Sequence, residues 1–412
     1  MWTTEIKEEL FSHIIPFWMN LRDEEFGGYY GYFGYDLDLD KKSDKGVILH
    51  SRILWFFSNV YAYLTENPSV KEEIDSAKYG YKSEDVLNAA KHAYKHLVSK
   101  CIDNDNGGVY WSVTFDGEPA DTTKHTYNIA FTIYALSSYY AITNDKVALN
   151  LAYDLFTVIE TKCRDEEGYL EAFDIEFKPA GNDKLSENGV EAGRTMNTLL
   201  HIYEAYSELY RVDKSASIAD KLYKIIDIFV DNMFNTELNR QEVFFDLKYN
   251  TLIDLHSYGH DIETSWLFDR GLEILETNDP EGAAPFTAKL RPILVKLADC
   301  VLNKAFDGKA LFNECEKGVD DTRRVWWVQS EAIVGYINAA KLNPKEADKY
   351  MKTAETIWEY TKNIIVDKRP GSCWYSEVFA DDTPNTKKAI ADEWTCPYHN
   401  GRMCLEVMKR LA

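Results

Sequence analysis

Six short segments rich in glycine and aromatic residues recur along the chain, at intervals of roughly 60 to 80 residues. Several combine an acidic turn, a glycine and alternating aromatic residues, a pattern typical of a short strand or hairpin. The interval leaves room for two helices per unit, which indicates a repeat architecture. The segments are DEEFGGYYGYF (23–33), DNDNGGVYWSVTF (103–115), DEEGYLEAFDIEF (165–177), the weaker matches RQEVFFDLKYN (240–250) and GKALFNECEKG (308–318), and RPGSCWYSEVF (369–379).

Amphipathic stretches fill the intervals and predict about twelve helices, with no strand-rich region and no Pro/Ser-rich linker between them. Six helical hairpins, each closed by a glycine and aromatic loop, favour an all-α fold, the (α/α)6 barrel, with these short hairpin loops at its mouth. An open α-solenoid is the alternative, but its repeats are shorter. We predict a single domain over residues 1–412, and we interpret 67–85 and 278–292 as surface connections. The predicted helices lie near residues 2–22, 45–66, 82–101, 123–142, 145–162, 189–211, 214–233, 255–276, 285–304, 322–342, 346–366 and 398–411.

Every second helix carries unusual polar or aromatic residues at or near its start, whereas the helices between them have the ordinary amphipathic pattern of an outer layer. We therefore predict six inner helices that direct their N-terminal turns toward one mouth of the barrel. Helix N-termini and an arginine would make that mouth locally positive, which suits an anion formed during a reaction. The residues concerned are Arg52, Tyr127, Asn197, His201, His260, Glu263, Trp266, Trp327, Glu331, Trp394, His399 and Arg402.

The stretch SYGHDIETSW (257–266) concentrates this pattern, because His260, Glu263 and Trp266 follow one another at three-residue spacing on one predicted helix. Aromatic rings suit the apolar faces of sugars, and carboxylates and amides suit their hydroxyl groups. A single histidine on an inner helix is commonly a hydrogen-bonded core residue. Three of them, His201, His260 and His399, at equivalent places in separate repeats favour a functional role. The sequence thus predicts a carbohydrate pocket.

Two other histidine patterns are given other interpretations. His256, His260 and Glu263 form HxxxHxxE, which could bind zinc, but HExxH is missing and no further ligand is identifiable, so we predict no metal. His92 and His96 lie among lysines in KHAYKHL on a predicted outer helix, and we interpret them as solvated surface.

The charge of the chain excludes several classes of partner. A formal net charge of −22 and a pI near 4.9 argue against nucleic acid and anionic membranes, which would be repelled. No apolar run approaches the ~20 residues that span a bilayer, and the polar start of the chain predicts no signal peptide. Seven cysteines without a CxxC pair indicate reduced thiols in a cytoplasmic protein. The lack of an obvious apolar outer stripe favours a monomer.

Five motifs together resemble those of the cellobiose 2-epimerases, within the N-acylglucosamine 2-epimerase superfamily. The resemblance is collinear from about residue 5 to residue 410, and the motifs are specific in combination, although WWVQ alone is shared more widely. They are KGVILHSRILWFFS, KHTYNIAFTIYALSSYY, SYGHDIETSWL, RVWWVQSEA and CPYHNGRMCLEV.

This resemblance implies an (α/α)6 barrel and reversible epimerisation at C2 of the reducing-end glucose in β-1,4-linked disaccharides. Cellobiose would become 4-O-glucosyl-mannose, and lactose and mannobiose would also react, with no metal and no nucleotide cofactor. It implies that His260 and His399 are the acid/base pair and that Asn197 and Tyr127 contact the sugar. The other residues implied to line the site are Arg52, His201, Glu263, Trp266, Trp327, Glu331 and Trp394.

The expected chemistry is proton transfer through a cis-enediolate, in which two histidines on opposite faces of the sugar exchange the C2 proton. Arg52 would stabilise the enediolate, and Glu263 would orient His260. An aldose–ketose isomerase acting on mannose or a related monosaccharide would use the same intermediate and is the main alternative. A glycosidase would need two carboxylates that flank the bond, and a non-catalytic sugar-binding protein would not need two opposed histidines.

Overall fold

The computed structural model describes residues 2–182, 184–185 and 188–412. Four five-residue π-helical turns, Leu10–Ile14, Leu97–Cys101, Phe229–Met233 and Thr361–Ile365, adjoin helices of the outer layer, and a 3-10 turn spans Pro344–Glu346. The α-helices of this part of the chain are α1 (Trp2–Glu9), α2 (Ile15–Asn20), α3 (Val47–Glu66), α4 (Pro68–Asp75), α5 (Ser83–His96), α6 (Thr126–Thr143), α7 (Lys146–Lys162), α8 (Met196–Asp213), α9 (Ala216–Ile228), α10 (Tyr258–Asn278), α11 (Pro280–Ala305), α12 (Trp326–Leu342), α13 (Ala347–Tyr360) and α14 (Pro397–Arg410).

The helices form two concentric layers. Helices α3, α6, α8, α10, α12 and α14 each contact the next, and α14 contacts α3, so the inner ring is closed. Outside it, α5 packs on α3, α7 on α6, α9 on α8, α11 on α10, α13 on α12 and α1 on α14. The predicted (α/α)6 barrel is confirmed. None of the described helices is both long enough and apolar enough to span a membrane.

The strands are two or three residues long, and most of them join neighbouring repeats. The strand that precedes an inner helix pairs antiparallel with the glycine and aromatic segment of the next repeat: β3 with β4, β6 with β7, β8 with β11, β12 with β13 and β15 with β16. A bridge between Phe33 and Ala391 links the last repeat to the first. The loops therefore surround one mouth of the barrel as a hydrogen-bonded ring. The strands are β1 (Tyr32–Phe33), β2 (Leu39–Asp40), β3 (Lys45–Gly46), β4 (Ser112–Val113), β5 (Pro119–Asp121), β6 (Lys124–His125), β7 (Ala172–Phe173), β8 (Arg194–Thr195), β9 (Phe234–Asn235), β10 (Arg240–Gln241), β11 (Phe244–Phe245), β12 (Leu255–Ser257), β13 (Glu314–Glu316), β14 (Val319–Asp321), β15 (Arg324–Val325) and β16 (Glu377–Val378).

Two segments interpreted as connections are partly helical. The stretch 67–85 contains α4, and 278–292 contains the first turns of α11. Both helices begin with proline at a first-turn position, where the missing N–H has no intrahelical partner to lose. Asp279 also caps α11 by accepting a hydrogen bond from the Gly282 N–H at 3.1 Å. Proline therefore marks a helix start at these two places.

His96 is buried, so the interpretation of this residue as solvated surface was wrong. Its ring packs against His50 with centroids 4.6 Å apart, and His92 bonds the Gly28 carbonyl at 2.8 Å. Gly28 makes this packing possible. It has a φ of +70°, and a Cβ there would lie 2.7 Å from the nearest atom of the His50 ring and 2.7 Å from the nearest atom of the His96 ring. The neighbouring lysines give the sequence an exposed pattern, although the face of α5 that carries His96 packs against the inner layer.

A buried ion pair fixes the glycine loop in the first two repeats. Asp23 meets Lys45 at 2.6 Å and Asp103 meets Lys124 at 2.7 Å, with every one of these side chains at most 1% exposed. The Asp103 carboxylate also accepts two backbone N–H bonds of its own turn. The lysine comes directly before an inner helix, so the pair ties the loop to that helix. Two other repeats use arginine, in Asp165–Arg194 and Asp307–Arg324.

Replacing Lys124 with methionine is expected to lower the free energy of unfolding by about 3–5 kcal/mol, because the Asp103 carboxylate would stay buried without its cation. Urea unfolding of the variant and the wild type measures the difference. Lys146→Met, at an exposed lysine, is the matched control, for which we expect a change below about 0.5 kcal/mol. Equal stability of the Lys124 variant and the control would contradict this view of the loop.

Candidate active site

The starts of all six inner helices contribute to one cluster of side chains. The Arg52 guanidinium of α3 bonds the Tyr127 hydroxyl of α6 at 2.7 Å, and the Tyr127 ring meets His201 of α8 with centroids 5.1 Å apart. On the opposite side, Trp327 of α12 lies with its ring 4.8 Å from His260 of α10 and 5.4 Å from His399 of α14. The structure therefore brings together residues that are up to 347 positions apart in the sequence.

His260 and His399 both contact the same tryptophan, Trp327, and each has its Nδ1 engaged. His260 Nδ1 lies 2.7 Å from the Ser257 hydroxyl, and His399 Nδ1 lies 2.7 Å from a Glu331 carboxylate oxygen. Neither Nε2 has a hydrogen-bond partner among the described residues. Burial, with the nearby His201, lowers the pKa of His260 to about 3, and burial with Arg402 lowers the pKa of His399 well below its usual range. Both Nε2 atoms are thus unengaged and available for proton transfer.

Arg402 is the centre of a buried charge network beneath these histidines. One Nη donates to Glu204 at 2.6 Å, and the other donates to Glu331 at 2.8 Å and to Glu263. All four side chains are at most 2% exposed. Burial and the neighbouring Glu331 raise the pKa of Glu263 to about 7. Burial opposes ionisation of Glu204 as well, but Arg402 and His201 lower its pKa to about 2.

Glu263 and Trp266 do not lie where the sequence predicted. Glu263 contacts Arg402, and its carboxylate is 4.0 Å from His399 Nδ1, whereas the partner of His260 is Ser257. Trp266 is fully buried, and its indole N–H donates to Glu331 at 2.9 Å. Six residues along a helix correspond to about 9 Å of rise and to a turn of roughly 120° away from the starting face. Trp266 therefore lies deeper in the barrel than His260, and it supports Glu331 instead of forming the pocket wall.

Arg52 differs from Arg402 in having no carboxylate partner among the described residues. It is 2% exposed, its guanidinium lies 4.4 Å from the Phe131 ring and 4.9 Å from the Tyr398 ring, and its Nε has no acceptor. The Nη1 of Arg52 lies 3.8 Å from the Cys396 Sγ. A buried guanidinium whose partners are a hydroxyl, a thiol and aromatic rings is poorly compensated. Arg52 is therefore available to a negatively charged group in the pocket.

Partly exposed polar and aromatic groups form the rest of the pocket. Trp327 and Trp394 are half-buried, and Trp394 lies 6.0 Å from Trp111 and 6.3 Å from Tyr127 between ring centroids. Asn197 is also half-buried, and its side-chain carbonyl has no hydrogen-bond partner in the part of the chain that the structure describes. Indole faces and an unsatisfied amide suit a sugar, whose rings have apolar faces and polar edges.

The sequence analysis missed three residues that support the site: Glu204, Tyr398 and Ser257. Glu204 bonds His201 Nδ1 at 2.9 Å and the Tyr398 hydroxyl at 2.6 Å. Glu204 follows His201 by three residues on α8, the same spacing that drew attention to His260 and Glu263. That spacing was therefore a usable signal. Arg402 was noted near the start of α14 but was not assigned to the site.

One described group of side chains has the geometry of a metal site. Ligand atoms of Glu263, Glu331 and His399 lie within 4.8 Å of one another. The Arg402 guanidinium already binds both carboxylates, so the position of a cation is taken by a side chain. The three HxxxHxxE residues do not form such a group among the described residues, and His256 bonds Asp261 at 2.8 Å.

An all-α barrel whose mouth combines two imidazoles, indole faces and a guanidinium that pairs with no described carboxylate has the architecture of an enzyme that transfers protons on sugars. The model of the N-acylglucosamine 2-epimerase (GlcNAc 2-epimerase) family matches residues 28–400. The chain therefore belongs to the N-acylglucosamine 2-epimerase family, and it is an epimerase.

Curated relatives match over nearly the whole chain. The chain is 48% identical over 410 residues to a cellobiose 2-epimerase of Ruminococcus albus, with 100% of this chain and 99% of the relative covered. It is 44% identical to a cellobiose 2-epimerase of Eubacterium cellulosolvens, with 98% and 97% covered. A D-mannose isomerase of Marinomonas mediterranea is 23% identical over 409 residues, with 94% and 92% covered.

Solved structures agree with these matches. A sugar epimerase from a ruminal bacterium superposes with a TM-score of 0.92 at 48% identity, and both chains are covered fully. The cellobiose 2-epimerase of Bacillus thermoamylovorans gives 0.89 at 40% identity, with 99% of each chain covered. A D-mannose isomerase gives 0.76 at 18% identity, with 99% and 97% covered, which shows a shared fold.

Proposed function

We propose that this chain catalyses reversible epimerisation at C2 of the reducing-end glucose of β-1,4-linked disaccharides. Cellobiose is converted to 4-O-β-glucosyl-mannose, and lactose and mannobiose are further substrates. The observation that carries the proposal is the pair His260 and His399, which lie on two different inner helices and both contact the Trp327 ring. The Nδ1 of each is engaged, and neither Nε2 has a hydrogen-bond partner among the described residues. The cellobiose 2-epimerases among the relatives support the choice of substrate.

The reaction requires the open-chain aldehyde, because only then is the C2 proton acidic. One histidine takes that proton at Nε2, the C–H electron pair forms a C1–C2 double bond, and O1 becomes negatively charged in a cis-enediolate. The other histidine, which has first taken a proton at Nε2 from solvent, gives that proton to the opposite face of C2, and the aldehyde forms again. Both histidines then return to their starting states by exchanging protons with solvent. One proton leaves and one returns, so the net change is inversion at C2.

The other pocket residues have distinct proposed roles. Arg52 holds O1 and O2 and stabilises the enediolate. Trp327 and Trp394 stack on the sugar rings, and Asn197 and Tyr127 bind hydroxyl groups. We assign the proton transfers of ring opening to His201 or His399. Glu331, held by Trp266 and Arg402, orients His399.

Arg52→Met is expected to lower kcat for cellobiose epimerisation by about 10²–10³-fold, the usual effect of losing one oxyanion donor. The thermal midpoint should not fall, because the variant replaces a poorly compensated buried charge with an apolar side chain. Steady-state rates and thermal unfolding of the same preparation give both quantities. Retention of more than about a third of the wild-type rate would remove Arg52 from the proposed mechanism.

Product identity tests the reaction class. Purified protein is incubated with cellobiose in one tube and with mannose in another, and the sugars are separated by chromatography. A mannose-ended disaccharide from cellobiose supports the proposal. Fructose from mannose, with cellobiose unchanged, would support the aldose–ketose isomerase that the D-mannose isomerase relative suggests. Free glucose would indicate a glycosidase.

The remaining predictions from the sequence stand as part of the proposal. They are a single domain over residues 1–412, a cytoplasmic location, a monomer, no contact with nucleic acid and no metal or nucleotide cofactor. Size-exclusion chromatography with light scattering measures the oligomeric state.

A further inference from the structure

Ser257 occupies the N-cap position of α10 but makes no capping hydrogen bond with its side chain. Serine is favoured at this position because its hydroxyl accepts a bond from the second or third N–H of the helix. The equivalent residue of α8, Thr195, does so by accepting from the Thr198 N–H at 3.0 Å. The Ser257 hydroxyl lies instead 2.7 Å from His260 Nδ1. The Ser257 hydroxyl therefore contacts a pocket histidine and does not supply the local stability that a helix cap would give.

The partner of His260 also differs in charge from those of the other pocket histidines. His201 Nδ1 bonds the Glu204 carboxylate and His399 Nδ1 bonds the Glu331 carboxylate, whereas His260 bonds a neutral hydroxyl. A carboxylate stabilises the imidazolium form of its partner. A hydroxyl oxygen can accept the Nδ1 proton without strongly favouring that form, and in this arrangement the lone pair of His260 is on Nε2.

We propose that Ser257 is a positioning residue for proton transfer at C2. Its hydroxyl accepts the Nδ1–H of His260, which fixes the ring orientation and keeps the Nε2 lone pair directed at the sugar. The same bond persists when His260 carries the transferred proton, because Nδ1 is then still a donor. This inference rests on the proposed epimerase function, and it concerns one of the two histidines only.

Ser257→Ala tests the proposal, with Ser257→Thr as the variant that keeps a hydroxyl. The alanine variant should lower kcat about tenfold or more with KM within about twofold of wild type, and the threonine variant should recover most of the rate. Ser265→Ala is the matched control. It removes another buried hydroxyl of α10, which donates to the Ile262 carbonyl, and it should leave kcat unchanged.

An isotope effect distinguishes positioning from a general loss of structure. Two substrates are needed, one deuterated at C2 of the reducing-end glucose and the other at C2 of the reducing-end mannose. In the proposed mechanism these two epimers give their C2 label to different histidines. In Ser257→Ala the primary isotope effect on kcat/KM should increase for the epimer that gives its C2 hydrogen to His260, and it should not increase for the other epimer. An equal change for both epimers, or a rate within about twofold of wild type, would overturn the role of Ser257. Absence of epimerisation by the wild-type protein would instead refute the proposed function, before any variant is compared.

Discussion

Replacing either His260 or His399 with alanine is expected to lower kcat for cellobiose epimerisation by about 10²–10⁴-fold, the usual contribution of one general acid or base. Each histidine serves one face of C2. In a single variant the histidine that is left can remove and return the C2 proton on its own face, but it cannot invert the configuration at C2. The double variant should be little slower than either single variant, because both groups act in one reaction sequence. Steady-state assays in both reaction directions measure these rates.

Two controls make this result specific. His92→Ala changes a histidine on outer helix α5 and should leave kcat within about twofold of wild type. Calorimetric titration with cellobiose should show that His260→Ala and His399→Ala still bind sugar. Retention of a tenth or more of the wild-type rate by either active-site variant would contradict the two-histidine mechanism. Wild-type protein that binds sugar but does not convert it would indicate a non-catalytic sugar-binding protein.

Arg402→Met is expected to lower the free energy of unfolding by about 3–5 kcal/mol at pH 8, because three buried carboxylates would lose their shared cation. The pKa of Glu263 is about 7 even with Arg402 present, and that of Glu331 is also raised. A carboxylate with a raised pKa contributes stability below its unfolded pKa near 4.5, and this stability is lost as the pH rises through the folded value. The destabilisation should therefore be smaller at pH 5.

Urea unfolding at pH 5 and pH 8 measures this difference, and Arg410→Met is the matched control. Arg410 lies on the same helix but is partly exposed, and it pairs with Glu406 at 2.9 Å, so its loss should change the free energy of unfolding by less than about 1 kcal/mol. Arg402→Met protein that is as stable as the control at pH 8, or equally destabilised at both pH values, would contradict the assigned network.

The fold was predictable because the repeat combines two independent periodicities. The glycine and aromatic segments mark six units, and the alternation between apolar and amphipathic helices separates the inner from the outer layer. The pairing of the strands was not predictable. A local hairpin and a pairing with the next repeat, such as β3 with β4, need the same residue types, and only the packing of the helices decides between them.

The candidate site was predictable to the extent that its residues are conspicuous on apolar helices. His260, His399 and Arg52 stand out because a buried helix otherwise excludes such side chains. Their partners were not predictable from spacing, since Arg402 meets Glu204 across 198 residues and Glu263 across 139. Which carboxylate meets which cation depends on distances between helices, and the sequence pattern carries no information about those distances.

Proton transfer at C2 is tested most directly by NMR of cellobiose incubated with the purified, EDTA-treated protein in D2O. We expect 4-O-glucosyl-mannose with deuterium at C2 of its reducing end, because the proton that returns comes from a histidine in exchange with solvent. Activity after EDTA treatment would also agree with the predicted absence of a metal requirement. Epimer that forms with hydrogen retained at C2 would contradict the exchange of protons between two histidines, and unchanged cellobiose would contradict the proposed reaction itself.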